Sequence, residues 1–344
     1  MKPFFTLFYA ASALSLSTAI AAEESFSGIN EIVVEDFIGT VNVRVASGDA
    51  RITYNAGNED DYEYTVEQEN GVLKVFGEEN PNDMRWWKRT SWRDGENAFE
   101  NFLKDYPVVE ITVPAGTDLR TTNTVIKLSA GDLNSNVVTE SGHVEGEIGN
   151  IISGKIGVHG SGDITVGDVA ERLRVSIHGS GDIRAGKSAE LIASVHGSGG
   201  IRVGDVAGDA EANIHGSGDI TLRNIGGAAD LSSHGSGDIE AGVIGNGLTL
   251  SSHGSGDFDI ASSTGPMTVS QHGSGDATID GGRAEDLRVR IYGSGDFKFD
   301  GIATNPDLSS NSSGDIYIAR HEGKLKARGR GDIRVGGRDY GDND

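Results

Sequence analysis

A histidine and an aspartate four residues apart, with Gly-Ser-Gly between them, recur down this chain. The histidine stands at His159, His178, His196, His215, His234, His253 and His272, and its place continues as Tyr292 and Asn311. The aspartate follows at Asp163, Asp182, Asp219, Asp238, Asp257, Asp276, Asp296 and Asp315, with Gly200 in the third copy. Three kinds of chemistry are open to such residues. A column of carboxylates could attract calcium, with Asp163, Asp182, Asp219, Asp238, Asp257 and Asp276 as candidate ligands. A column of imidazoles could attract zinc or copper. A His, a Ser and an Asp within five residues also make up the membership of a nucleophilic triad. Each reading meets an objection. Calcium takes six to eight oxygens, and one Asp plus one Ser per repeat is thin. Solvated imidazoles form no closed shell. Nucleophilic catalysis needs a buried, oriented base and an oxyanion pocket, which a solvated corner does not offer. The favoured reading is a row of structural corners. Gly160, Gly162, Gly179, Gly181, Gly216, Gly218, Gly235 and Gly237 would supply the positive φ of a sharp turn. Ser and Asp side chains would bond to the corner's backbone N–H groups. Repulsion between stacked aspartates would be offset by those bonds and by histidine partners.

Strands must position these corners. In "LRVSIH", Leu173, Val175 and Ile177 alternate with polar residues, and Leu191, Ala193, Val195 and Leu287, Val289, Ile291 repeat the pattern. A second short alternation follows each corner: Ile164 and Val166, Ile183 and Ala185, Ile220 and Leu222, Phe297 and Phe299. Period two means strand. The steps between copies are 19, 18, 19, 19, 19, 19, 20 and 19 residues, and a fixed period of strand, corner, strand and return predicts an all-β, parallel β-solenoid of about ten coils. Right-handed winding follows from the general crossover preference. An antiparallel sandwich is the competing architecture, but it would want hairpins and no strict register. Since the residue before each His points inward, the His and Asp columns should both face solvent.

Composition narrows the rest. The 344 residues carry 52 acidic and 29 basic side chains, a net charge of −23. That excess argues against nucleic acid and anionic membrane surfaces as partners. The chain has no cysteine, so disulfides, thiolate metal sites and a lipid-modified cysteine are excluded. Residues 1–21 read as a signal peptide: Lys2, the apolar run "PFFTLFYAASALSLS", then Ala19 and Ala21 before cleavage after Ala21 or Ala22. An uncleaved anchor is the alternative. Export to the periplasm or cell surface is expected, with no transmembrane segment after cleavage. The sequence leaves the oligomeric state open.

Residues 22–120 form a less regular β region, read as longer coils or a small cap, before the repetitive part at 121–338 and an acidic tail at 339–344. Within the first part lies an insertion at 80–106. It holds Trp86, Trp87 and Trp92 with Arg85, Lys88, Arg89 and Arg93 among them. Its bland reading is a packing piece over the open end of the core. Its sharper reading is a contact site for a glycan or a partner protein, with Trp86, Trp87, Trp92, Arg89 and Arg93 as candidates. "ENAFENFLKDY" is expected to form a short helix with Phe99, Phe102 and Leu103 on one side.

The "GSGD" corners followed by "I-x-V-G", the segment "VEITVPAGTDLR" at 109–120 and the N-terminal "GINEIVVEDFIGTVNVRV" together resemble a bacterial family, the putative auto-transporter adhesin head domains known as head GIN domains. The likeness covers roughly 26–337. It implies a β-solenoid, export and an adhesive role, and it implies no catalytic residues; no cofactor is expected, calcium apart. One departure stands out. An autotransporter ends in a membrane barrel of alternating segments, whereas this chain ends "GGRDYGDND". β-helices that cleave acidic polysaccharides use long loops that interrupt the coils, and none is visible from 159 to 319.

Overall fold

The structure is a computed structural model, and it describes residues 22–55, 57, 62–77, 81 and 98–340. It is nearly all β, 61% strand and 2% helix, wound as stacked parallel coils in about 11 turns. Each regular coil holds one strand of five or six residues, a corner, a strand of three, and a return. Arg172–Ile177 lies on Glu190–Val195 in parallel, with Leu173 opposite Leu191 and Ile177 opposite Val195. After the corner, Ile183–Ala185 lies on Ile201–Val203. A third contact runs along the returns, where Ser188, Val206, Ile225 and Ile244 bridge in sequence. The solenoid is therefore three-faced.

The inward aliphatics carry the stack. Leu173, Val175, Ile177, Leu191, Ala193 and Val195 are at most 2% exposed, as are Leu287, Val289, Ile291, Phe297 and Phe299. One coil presents this apolar surface on both its upper and lower sides and cannot hide it alone, so the repeats stabilise one another. Among the described strands, antiparallel pairs occur only toward the two ends. The sandwich alternative would have placed them throughout.

The N-terminal third is both coil and cap, and it is threaded out of order. Glu31–Glu35 and Ile38–Val45 form an ordinary coil. It sits between the coil made by Asp118–Thr122 and Val125–Ala130 and the coil made by Val72–Gly77 and Val108–Val113. The chain thus lays its second coil first, runs outward, and crosses back. Antiparallel strands Ala22–Phe26, Ala50–Tyr54 and Tyr64–Glu69 close that end. The helix Ala98–Leu103 is present, with Phe99 and Leu103 buried and Phe102 packed against the core. No helix among the described residues is long and apolar enough to cross a membrane.

Candidate functional site

All seven histidines of the repeat are exposed. From His159 to His272 each imidazole stacks on the next, and His272 stacks on Tyr292. Ring centroids are 4.6–5.1 Å apart and the planes differ by at most 25°. The spacing is that of parallel strands, because each ring rides on one coil. Stacking hides the ring faces and leaves the nitrogen-bearing edges outward. Two residues earlier a second row runs alongside: Ser176, Ser194, Asn213, Ser232, Ser251 and Ser270, all half-buried. Ser194 Oγ lies 3.2 Å from His196 Nδ1, and Ser251 Oγ lies 3.5 Å from His253 Nδ1.

The aspartates across the corner form a ladder. The N–H of each donates to Oδ1 of its counterpart one coil earlier: Asp182 to Asp163 at 2.9 Å, Asp238 to Asp219 at 3.0 Å, Asp257 to Asp238 at 2.8 Å and Asp276 to Asp257 at 2.7 Å. Gly200 donates to Asp182 at 2.8 Å but has no carboxylate to offer upward. Two of the expected contacts take a different form. The corner histidines stack on each other and make no ion pair with these aspartates among the described residues. The corner serines turn outward; Ser255 Oγ donates to Ser236 Oγ at 3.2 Å, and the backbone N–H groups are taken by other acceptors. Arg184 neutralises the first steps, reaching Asp182 at 2.9 Å and Asp163 at 3.8 Å, with Arg202 3.7 Å from Asp182. Further along, Asp219, Asp238, Asp257 and Asp276 run beside Glu240 and Asp259. Burial, followed by the charges of Asp257, Asp238 and Asp280, raises the Asp259 carboxyl above its ordinary value.

The corner glycines require a correction. Positive φ was expected to be their reason, yet of the eight named only Gly162 has it, at +104°. Gly160, Gly179, Gly181, Gly216, Gly218, Gly235 and Gly237 are required by close approach instead. A Cβ on Gly179 would sit 1.7 Å from the Gly160 carbonyl oxygen, and one on Gly235 would sit 1.8 Å from that of Gly216. The corners stack backbone on backbone, with Ser180 N–H donating to Gly160 O at 2.8 Å and Ser236 N–H to Gly216 O at 3.0 Å.

The stacked histidines are poorly suited to sharing a metal. Two nitrogens on one ion, each about 2 Å from it, cannot be more than about 4 Å apart, and parallel rings on neighbouring coils point their lone pairs side by side. Among the described residues no three His, Asp or Glu side chains group as a metal site. Trp86, Trp87, Trp92, Arg89 and Arg93 lie outside the described residues.

Sequence reasoning passed over a buried histidine. His143, in the weak repeat "SGHVEG", is 3% exposed. It stands opposite Ser161, not in the outer column. Its Nδ1 lies 2.9 Å from Ser161 Oγ, and the Phe99 ring covers it at 4.1 Å between centroids. Burial pushes its imidazole down to about 4, with the Asp163 carboxylate acting in the other direction. The signal available was the helix pattern of 98–103, but nothing in the sequence said which coil the helix would cover.

Three solved structures share low identity with the chain. One is a putative adhesin from Parabacteroides distasonis, with 15% identity, 76% of this chain and 95% of that one covered, and a TM-score of 0.38. The others are a putative lipid binding protein from the same organism, with 14%, 92%, 96% and 0.24, and a putative cell adhesion protein from Clostridium sporogenes, with 13%, 70%, 99% and 0.20. No curated protein matches the chain. The family described as "Putative auto-transporter adhesin, head GIN domain" matches residues 30–247 and 226–338, and the chain belongs to that family.

Proposed function

We propose that this protein is an exported, non-enzymatic, adhesin-like scaffold that binds a glycan or protein partner at the cell envelope, along the face that carries the histidine column. One observation carries the reading. Seven exposed imidazoles and one tyrosine present an unbroken row of polar edges, one per coil, beside a parallel row of serine and asparagine side chains. Imidazole edges, hydroxyls and amides both donate and accept hydrogen bonds. A rigid row of them suits an extended hydroxyl-rich polymer lying along the solenoid axis. Preorganisation favours such binding, because the stacked sheet has little entropy left to lose. The net charge of −23 weighs against nucleic acid as the polymer. The N-terminal signal-like segment and the family both support export.

Replacing His196, His215 and His234 together by alanine is expected to weaken binding to glycan arrays and bacterial surfaces roughly ten-fold or more, with the melting temperature nearly unchanged. Full binding by that variant would remove the column from the reading. If replacing Trp86, Trp87 and Trp92 then abolished binding, the insertion would be the site. The second reading is a calcium-responsive envelope protein. It draws on the acidic run from Asp219 to Asp276 and the raised Asp259 carboxyl. It is tested in the same assay with calcium and with chelator, where calcium dependence lost on Asp238→Asn would favour it.

A further inference from the structure

The long face is one continuous sheet, and its two edges carry opposite charge. At one edge Lys326–Gly329 pairs only with Asp307–Ser310, and among the described residues no strand lies against its outer side. Lys324, Lys326, Arg328 and Arg330 are exposed there. Residues 320–338 hold seven Lys and Arg against two acidic residues, Glu322 and Asp332, in a chain whose net charge is −23. At the other edge, among the described residues, Tyr64–Glu69 pairs only with Val72–Gly77. Glu63, Glu67 and Glu69 are exposed on it, and no basic residue occurs between 62 and 70.

Open strand edges invite pairing with another chain, and charges on them are the usual deterrent. Here the deterrent is selective. Two cationic edges repel, as do two acidic ones, while one of each attracts. We infer that the protein associates end to end with a second copy of itself, the Lys326–Gly329 edge of one copy pairing with the Tyr64–Glu69 edge of the next. Strand direction fits. Tyr64–Glu69 runs opposite to Val72–Gly77 and so opposite to the parallel strands of the whole face, which makes the new pair antiparallel and extends the sheet across the junction. The contact is head to tail and does not close on itself, so it generates rows. Both edge strands are short, four and six residues, and the charges are exposed, so the association is weak and sensitive to salt. Such rows would repeat the histidine column at intervals and present it many times over.

Sedimentation velocity of the full chain over rising concentration tests this. Growth of larger species is expected at about 50 mM salt, and its loss at about 500 mM. K326E/R328E and E67K/E69K should each weaken association roughly ten-fold. Mixing the two variants should restore it, and so should combining all four changes in one chain. That rescue separates lost pairing from misfolding. A wild-type chain that stays monomeric at every concentration and salt overturns the inference, as do charge variants that associate as wild type does.

Discussion

Gly235→Ala is expected to destabilise the protein by at least about 3 kcal/mol, far more than an ordinary glycine replacement at a surface corner. The added methyl would lie 1.8 Å from the Gly216 carbonyl oxygen and 2.8 Å from its carbon. The oxygen cannot step aside, because it accepts the Ser236 N–H at 3.0 Å, and both coils are held by ladders on either side. Gly200→Asp should do the opposite. Its Cβ would make only ordinary van der Waals contacts, with Asp182 Oδ1 at 3.5 Å and the Asp219 carbonyl oxygen at 3.7 Å as nearest neighbours. It would supply the missing rung, an acceptor for the Asp219 N–H, for a gain of about 1 kcal/mol. Urea melts of the two variants check both. Tolerance of Gly235→Ala would mean that the corners do not stack backbone on backbone.

The second large effect is a loss of stability in acid that belongs to His143. Its folded-state value is about 4, whereas in the unfolded chain the ring protonates near the ordinary value of about 6.5. Between those values the unfolded chain holds a proton that the folded chain does not. Stability therefore falls as pH drops through about 6.5, and this contribution levels off below about 4. The difference is worth about 3 kcal/mol. Glu145 Oε1, 4.0 Å from Nε2, and Asp163 are the carboxylates facing the ring, and neither overcomes its burial. His178, His215 and His253, every second ring of the outer column, act in the same direction. Each is lowered first by burial and then by neighbouring imidazoles, His178 by His159 alone and the other two by the rings on both sides. His143→Leu should shrink the change in unfolding free energy between pH 7 and pH 4 by about 3 kcal/mol. An undiminished change in that variant would mean the acid sensitivity lies elsewhere.

Much of the fold was legible because strand parity and a fixed period are properties of the sequence itself. The inward set of Leu173, Val175 and Ile177 and the outward column from His159 to His272 follow from alternation alone. What was not legible depends on neighbours far away in the chain. The place of Ile38–Val45 between Val108–Val113 and Val125–Ala130 leaves no trace in local pattern, since any coil with apolar faces can stack on any other. The reason for the corner glycines was misread for a related cause. A glycine chosen for positive φ and one chosen for close approach look alike in sequence, and only the carbonyl of the preceding coil distinguishes them. The aspartates were read as turn formers within their own corner, whereas Oδ1 of Asp238 serves the N–H of Asp257, 19 residues on. The three-residue strand after each corner carries little pairing of its own, so this inter-coil ladder helps hold the columns in register.

The most direct test of the parallel stack is pulsed electron spin resonance between nitroxides on introduced cysteines, in a chain that has none of its own. With one label at Ser274 and the second moved through Ser217, Ser198 and Ser180, the separation should rise by about 4.8 Å per coil, reaching about 24 Å at the last. Separations that fail to grow with coil number would contradict the stack.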